Sequence, residues 1–339
     1  MQNPQNITVN PATPTDLATN ALHWQYLGLA IICSIGLFIS LQLFLTAKQY
    51  EHERINSHFL EAAKDRTSLL RQEINSSLYE IETLGAFYGA SENISRRQFR
   101  AFVQPFLAHN PAIQALEWIP KIMHGQRQQH EENARKNGME NYQITERQAQ
   151  GAMVRAAPRG EYFPVFFVEP FAGNEAAVGF DLASSATRLE TLRQAREKGL
   201  MLATARITLV QEMGQQQGFL VFLPVYEAAS SADSPRNLQG FALGVFRIDD
   251  ILSNAVSYLD PLGINISLFD DSAPEAKSFL AQYPAHGAGH NNQGEIDHAK
   301  NLTWLEQQAM QYSERFEVAG RQWRVICTPT QDFLASGSG

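Results

Sequence analysis

Residues 26–46 read YLGLAIICSIGLFISLQLFLT, an uncharged run that decides the first division of this chain. About 20 apolar residues in a helix cross a ~30 Å hydrocarbon layer. Trp24 and Tyr26 stand at one edge, where amphipathic rings favour the headgroup region, and Lys48 closes the other. A cleaved leader would carry a basic start, a shorter run and a small-residue cleavage site. Met1–His23 holds no Lys or Arg, and no such site follows. The reading is a flexible polar tail over residues 1–23 and a transmembrane helix over 24–47. Charge does not set its orientation. Lys48, Arg54, Lys64 and Arg66 follow the run but are interleaved with Glu51, Glu53, Glu61 and Asp65.

Outward from the run, Ile55, Phe59, Ala62, Leu70, Ile74, Leu78, Ile81, Leu84 and Phe87/Tyr88 recur at helical spacing, and no proline interrupts from Glu51 to Ser91. This predicts one long helix from the membrane to about residue 90, its stalk part over residues 48–92. A helix of that length, roughly 90 Å at 1.5 Å per residue, needs a partner for its apolar stripe. The partner is either its own globular part or a second copy in a homodimer packed through stalk and membrane helices.

Of 339 residues, 44% are hydrophobic and 18% charged, as in a folded protein with a core. The net charge of −8 argues against a nucleic-acid partner, which needs a basic face, and no local basic patch stands out. Cys33 lies in the apolar run and Cys327 near the other end, so neither a disulfide framework nor a thiol metal site is available.

Beyond the stalk, Ser95 opens a helix ahead of Asn110-Pro111, and Ala112–Ile122 reads as a strand. A polar helix spans Gly125–Gly138. Strands follow at Tyr142–Thr145 and Phe163–Val168, then a helix over Thr187–Lys198 with Ser184/Ser185 before it and Gly199 as its stop. Ala203–Val210, Gly218–Tyr226 and Gly240–Ile248 form a meander. Asp249-Asp250 can cap a short helix, Ile251–Leu259. A smaller β unit has strands at Ile264–Phe269, from Trp304, at Tyr312–Val318 and at Arg321–Thr328. The fold class is α+β with antiparallel sheets. Its parts are a membrane-distal module over residues 93–255 and a membrane-proximal one over 256–333. Residues 334–339 read as a linker or an artificial end, with an output domain and a second span expected beyond them.

Phosphate-loop, nucleophile-elbow, zinc-helix and kinase signatures are absent, so no catalytic residue, cofactor or metal is expected. His130-Glu131-Glu132 starts like the zinc helix but lacks its second histidine. His286, His290 and His298 with Asp297 are loosely spaced in a Gly/Asn-rich stretch and read as a solvated loop.

The segment Tyr162-Phe-Pro-Val-Phe-Phe-Val-Glu-Pro-Phe171 places aromatics beside one carboxylate, which suits either an ordinary sheet core or a small, mostly apolar ligand. Thr204, Arg206 and Thr208 alternate and would share one strand face, turned either inward to a ligand or outward to solvent. The expected ligand-binding residues are Phe163, Val165, Phe167, Glu169, Thr204, Arg206, Phe222 and Phe246.

Phe163-Pro-Val-Phe-Phe-Val-Glu-Pro, Gly179-Phe-Asp-Leu-Ala-Ser, Ala203-Thr204, Gly218-Phe-Leu-Val-Phe-Leu-Pro-Val-Tyr226 and Gly240-Phe-Ala-Leu-Gly-Val-Phe-Arg-Ile-Asp-Asp-Ile251 together resemble the CHASE domain. This is the extracellular sensor of plant cytokinin receptors and of bacterial histidine kinases and diguanylate cyclases. The resemblance implies a stalk helix with tandem PAS-like modules, the distal one binding ligand. It also implies a periplasmic or extracellular sensor on the cell membrane, and a dimer. In plant members the ligand is adenine-like, held by an acidic residue whose position falls near Glu169 and by a threonine that Thr204 matches. Asp181 matches a family motif and reads as a turn or cap carboxylate. The resulting expectation is a non-enzymatic sensor for a small molecule, signalling to a cytoplasmic kinase or cyclase domain. A ligand-free structural or protein-interaction ectodomain is the alternative. A hydrolase using Glu169, Asp181 or the histidines would need geometry that the sequence does not display.

Overall fold

Helix α1, Pro14–Gly89, is the element on which the rest is ordered. The computed structural model describes residues 14–91, 93–148, 151–209, 217–227, 237–256, 259, 263–285 and 302–336, with side chains from residue 26. The chain divides into two units after His58. In the N-terminal unit the most apolar stretch has a mean hydropathy of 2.3 and buries none of its residues. Leu37, Phe38, Leu43 and Phe44 all point outward. Ser34 Oγ donates to the Ala30 carbonyl at 2.8 Å and Thr46 Oγ1 to that of Gln42 at 2.9 Å, so these hydroxyls present no unmet donor to a lipid phase. A long apolar helix with this outward face fits a single membrane span.

In the second unit, from Phe59 onward, the helix uses the expected stripe within its own chain. Phe59, Leu70, Ile74, Ile81, Leu84 and Tyr88 are buried, each large aliphatic side chain stabilising by about 1.5–3 kcal/mol. Phe59 meets Phe333 edge-on at 6.0 Å, and Tyr88 stacks on Trp118 at 3.6 Å. Helix α2, Arg96–His109, follows, opened by a capping box between Ser95 and Gln98.

The larger sheet holds β1 (Ile113–Pro120), β6 (Phe167–Glu169), β7 (Leu202–Ala203), β8 (Ile207–Thr208), β9 (Gln217–Tyr226) and β10 (Leu238–Arg247). Its order is β6-β1-β10-β9-β7, with β8 also on β9 and every pair antiparallel. Small ribbons pair β2 (Ile122–Met123) with β5 (Glu161–Tyr162), and β3 (Thr145–Arg147) with β4 (Met153–Arg155). Helix α3 is Arg127–Lys136. Helix α4, Ala186–Lys198, ends on Gly199 in the left-handed region, as expected.

Three expectations are corrected. Phe163–Val168 is not one strand: Pro164 has no N–H for a ladder, and the chain around it bonds in turn to Phe180 and Trp118. Ala203–Val210 is broken into β7 and β8. Ala203 pairs with Val221 and Ile207 with Gly218, so one more residue lies on this side than on the other, a bulge. Thr204 fills the break: its N–H donates to Leu220 O at 2.8 Å, and its Oγ1 accepts Leu220 N–H at 3.1 Å. The bulge cancels strict alternation, so Thr204 is buried while Thr208 is exposed. The segment from Trp304 is a short helix, α6, Leu302–Glu306, because its bonds are local, such as Gln307 N–H to Trp304 O.

Helix α5, Ile248–Val256, begins earlier than expected and holds Asp249 and Asp250 in its first turn, where carboxylates favour the helix dipole. The second sheet runs in the order β12-β11-β14-β13, with β11 Ile264–Asp270, β12 Phe279–Tyr283, β13 Tyr312–Val318 and β14 Arg321–Pro329. Strand β12 was not foreseen. The tandem α+β arrangement of two antiparallel sheets on a long helix is therefore as expected.

Candidate functional site

The two faces of the larger sheet do different work. Leu116, Trp118, Ala242, Gly244 and Phe246 turn toward the long helix, and a Cβ on Gly244 would stand 2.5 Å from Ile81 Cδ1. The alternate residues Ala115, Leu243, Val245, Leu220 and Phe222 face a second cluster under α4, with Phe163, Val165 and Phe180.

One carboxylate interrupts that cluster. Glu117 follows Ala115 on the same face of β1 and is fully buried. It lines a cavity of about 10 Å³, room for about one water molecule. Val165, Leu182, Leu220 and Val245 line the same cavity, and so does Arg188 from the first turns of α4. Arg188 is 8% exposed. Its guanidinium lies 5.4 Å from the Phe180 ring, and its Nη2 donates to Thr208 O at 3.3 Å. Its Nε has no hydrogen-bond partner. Burial pushes the Glu117 carboxyl up to about 8, with Arg188 opposing. Burial likewise draws Arg188 down to about 10, reinforced by Arg147 and opposed by Glu117. Both shifts have one cause: the surroundings are too apolar to solvate either charge.

A second, larger cleft of about 410 Å³ lies beside this cavity. Tyr142, Phe166, Val168 and Phe171 form its walls, with the Arg96 guanidinium 4.2 Å above the Phe171 ring. Val168 is the register partner of Glu117, and Val178 of the cleft directly follows Ala177 of the smaller cavity. The single turn Glu175–Ala177 is thus part of the wall between them.

Of the residues expected from sequence, Val165 lines the smaller cavity, and Phe163 and Phe222 stand in the cluster around it, each edge-on to Phe241. Thr204 is buried at the bulge and spends its oxygen on Leu220. Arg206 is half-buried in the same break. Phe167, Glu169 and Phe246 belong to the opposite face. Phe167 meets Phe99 of α2, Glu169 lies 3.8 Å from Arg100, and Phe246 stacks on Phe219. Glu117 and Arg188 were missed. The available signal was a single carboxylate inside the apolar strand Ala112–Ile122.

Asp181, Arg127 and Glu131 are buried ions that hold structure. Asp181 accepts Phe163 N–H at 2.8 Å, Ala183 N–H at 3.2 Å and Arg159 Nη1 at 2.6 Å, the cap role expected; burial raises its pKa against the lowering by these bonds. Arg127 pairs with Glu131 at 2.9 Å and also donates to the carbonyls of Ala156 and Ile144. His130 bonds Tyr142 OH at 3.0 Å, and burial lowers its pKa to about 4, so this histidine is packed. Among the described residues no His/Cys/Asp/Glu group is placed to hold a metal ion. His286, His290, Asp297 and His298 lie outside the described residues.

A sheet backed by a long helix on one face, and closed over a polar pair by short helices on the other, defines a PAS-like α+β module. The chain belongs to the CHASE domain family, which matches residues 92–280. It is 25% identical over 320 residues to the hybrid signal transduction histidine kinase A of Dictyostelium discoideum, covering 91% of this chain and 15% of that protein. It is 25% identical over 170 residues to the germination-specific adenylate cyclase of the same organism, covering 50% of this chain and 20% of that protein. The chain thus spans less than a quarter of either relative. Among solved structures, the periplasmic sensory domain of the Campylobacter jejuni chemoreceptor Tlp1 aligns over 84% of this chain and 98% of its own, with 10% identity and a TM-score of 0.48. The ligand-binding domain of the Pseudomonas aeruginosa amino-acid chemoreceptor PctC aligns over 79% and 98%, with 13% identity and a TM-score of 0.41.

Proposed function

We propose that this chain is the extracytoplasmic sensor part of a membrane-anchored signalling receptor, and that it binds a small molecule in the module spanning residues 93–255. The observation that carries this reading is Glu117 with Arg188, two ionisable groups sunk in the apolar cluster between sheet and α4. Burying such groups costs several kcal/mol each, an arrangement better suited to recognition than to packing.

The route of the signal is β10. Val245 lines the cavity, while its neighbour Gly244 abuts Ile81 of the long helix. A bound molecule that shifts this strand shifts the helix packing with it, because a close-packed contact moves in discrete steps. The helix then carries the change toward the membrane, where a homodimer through stalk and membrane helices passes it to a cytoplasmic kinase or cyclase domain. The residues proposed from sequence remain part of this reading in two roles: Phe163, Val165, Thr204, Arg206 and Phe222 around the pocket, and Phe167, Glu169 and Phe246 on the transmitting face.

The test is a melting-temperature screen of the full chain in nanodiscs against metabolite classes, adenine derivatives included; binding to the native state raises the melting temperature. A specific observation favours a second reading, a ligand-free structural ectodomain: the cavity beside Glu117 holds only about 10 Å³. That reading prevails if no small molecule shifts the transition.

A further inference from the structure

Resting on the sensor reading above, we infer that the larger cleft takes a small organic amine, its ammonium drawn by Glu140 and Glu175 and its apolar body set against Phe166 and Phe171.

The cleft has the room. Its volume of about 410 Å³ falls among small-molecule sites, which run from about 300 to 1,000 Å³. Glu140, Asn141, Phe171 and Glu175 at its rim are exposed, so a molecule enters without displacing a wall. Val168 and Val178 add an apolar lining for a carbon skeleton.

The walls suit a cation. Tyr142 and Phe166 meet edge-on at 5.7 Å with their rings 88° apart, and so form a corner. The Tyr142 hydroxyl is engaged by His130, whose pKa burial lowers to about 4, so that imidazole brings no positive charge to the corner at neutral pH. Phe171 is 38% exposed. Ring faces attract cations through their quadrupole. The Arg96 guanidinium, 4.2 Å from the Phe171 centroid, already shows such a contact within the cleft.

The charges select the same sign. Two carboxylates, Glu140 and Glu175, against one guanidinium, Arg96, leave the lining net negative. No ion pair among the described residues engages any of the three. Glu175 accepts Gly173 N–H at 2.9 Å and keeps lone pairs to spare. A primary ammonium offers three donors to these oxygens. Arg96 opposes it, but lies over a ring and is half-buried at the mouth, where water and salt screen the repulsion. A carboxylate ligand would have Arg96 as its one attraction against two like charges. A neutral alcohol would gain from neither.

A molecule in this cleft touches the wall of the smaller cavity. Val168 is the register partner of Glu117, and Val178 adjoins Ala177, so occupancy bears on the buried Glu117–Arg188 region without entering it.

The experiment is calorimetry and thermal melting of the full chain in nanodiscs with butylamine, cyclohexylamine and 2-phenylethylamine. 2-Phenylethanol, phenylacetate and sodium chloride at matched ionic strength are the controls. At least one amine raises the melting temperature, and neither phenylethanol nor phenylacetate does. Amine affinity falls at least fivefold in the double variant Glu140→Gln/Glu175→Gln and several-fold in Phe171→Leu, which keeps bulk and removes the ring. These side chains are exposed, so the variants fold, as circular dichroism checks. Arg96→Gln binds the amine at least as tightly as the wild type, whereas an anion site would lose its anchor. Phenylacetate binding more tightly than the amines, or the double variant binding them as the wild type does, overturns the inference. If no amine binds but another metabolite class raises the melting temperature, the ligand class is wrong and the sensor reading stands. If nothing binds, both fall.

Discussion

Ile81 of the long helix rests in the space that Gly244 leaves in the sheet: a Cβ on Gly244 would come within 2.5 Å of Ile81 Cδ1 and 2.8 Å of Phe246 Cε2. Here the helix and the sheet approach closely through a missing side chain, and the same strand borders the cavity one residue later. Gly244→Ala is expected to destabilise the chain by about 1–3 kcal/mol through overpacking. Ile81→Ala alone costs about 2–5 kcal/mol through the cavity it opens. The double variant recovers at least about 0.5 kcal/mol relative to the sum of the two, since each relieves the other. Chemical denaturation of the four proteins checks this; strict additivity would deny the contact.

Thr204 bonds Leu220 through both its N–H and its hydroxyl oxygen. Thr204→Val keeps the shape but strips the acceptor from a buried N–H, at a cost of about 1–3 kcal/mol. Thr204→Ser restores most of it. Hydrogen exchange at the Leu220 amide reads the same bond, with faster exchange in the valine variant.

Glu117 titrates against folding. Its carboxyl sits at about 8 in the folded chain, above an ordinary value near 4.5. The folded state therefore holds the proton more tightly, and the contribution is fully present below about 4.5 and lost as pH rises to about 8. Stability of the wild type should decline across that window more steeply than that of Glu117→Gln. Denaturation midpoints at stepped pH measure the difference, and parallel curves would show that Glu117 is not the group responsible.

The apolar run makes its own prediction. Leu37 and Phe38 face outward at its centre. Leu37→Arg places a charge where insertion costs about 2.5–3.5 kcal/mol, so a larger share of the chain should be released by alkaline carbonate extraction than in the wild type. Leu37→Ile leaves extraction unchanged.

Much of the fold was legible from local chemistry. The helix up to Gly89 follows from an unbroken 3.6-residue stripe, α4 from its glycine stop, and β9, β10, β13 and β14 from β-rich runs between turns. Trp304 misled because a short apolar run fits a helix turn as well as a strand. Thr204, Arg206 and Thr208 misled because alternation assumes an unbroken strand, and one extra residue opposite β9 cancels it.

What the sequence determined by itself was the inventory: an uncharged stretch long enough for a bilayer, a stripe needing cover, and two sets of antiparallel strands. These depend on neighbours along the chain, where period and charge are explicit. What only the tertiary structure decided was which faces meet. Glu117 and Arg188 lie far apart in sequence and are joined across one cavity by the packing of α4 on the sheet. Phe167, against Phe99 of α2, and Phe246, against Phe219, lie on the other side of that sheet. A residue's side of a sheet depends on bulges, prolines and register summed over several strands, and that sum is fixed only when the strands pair.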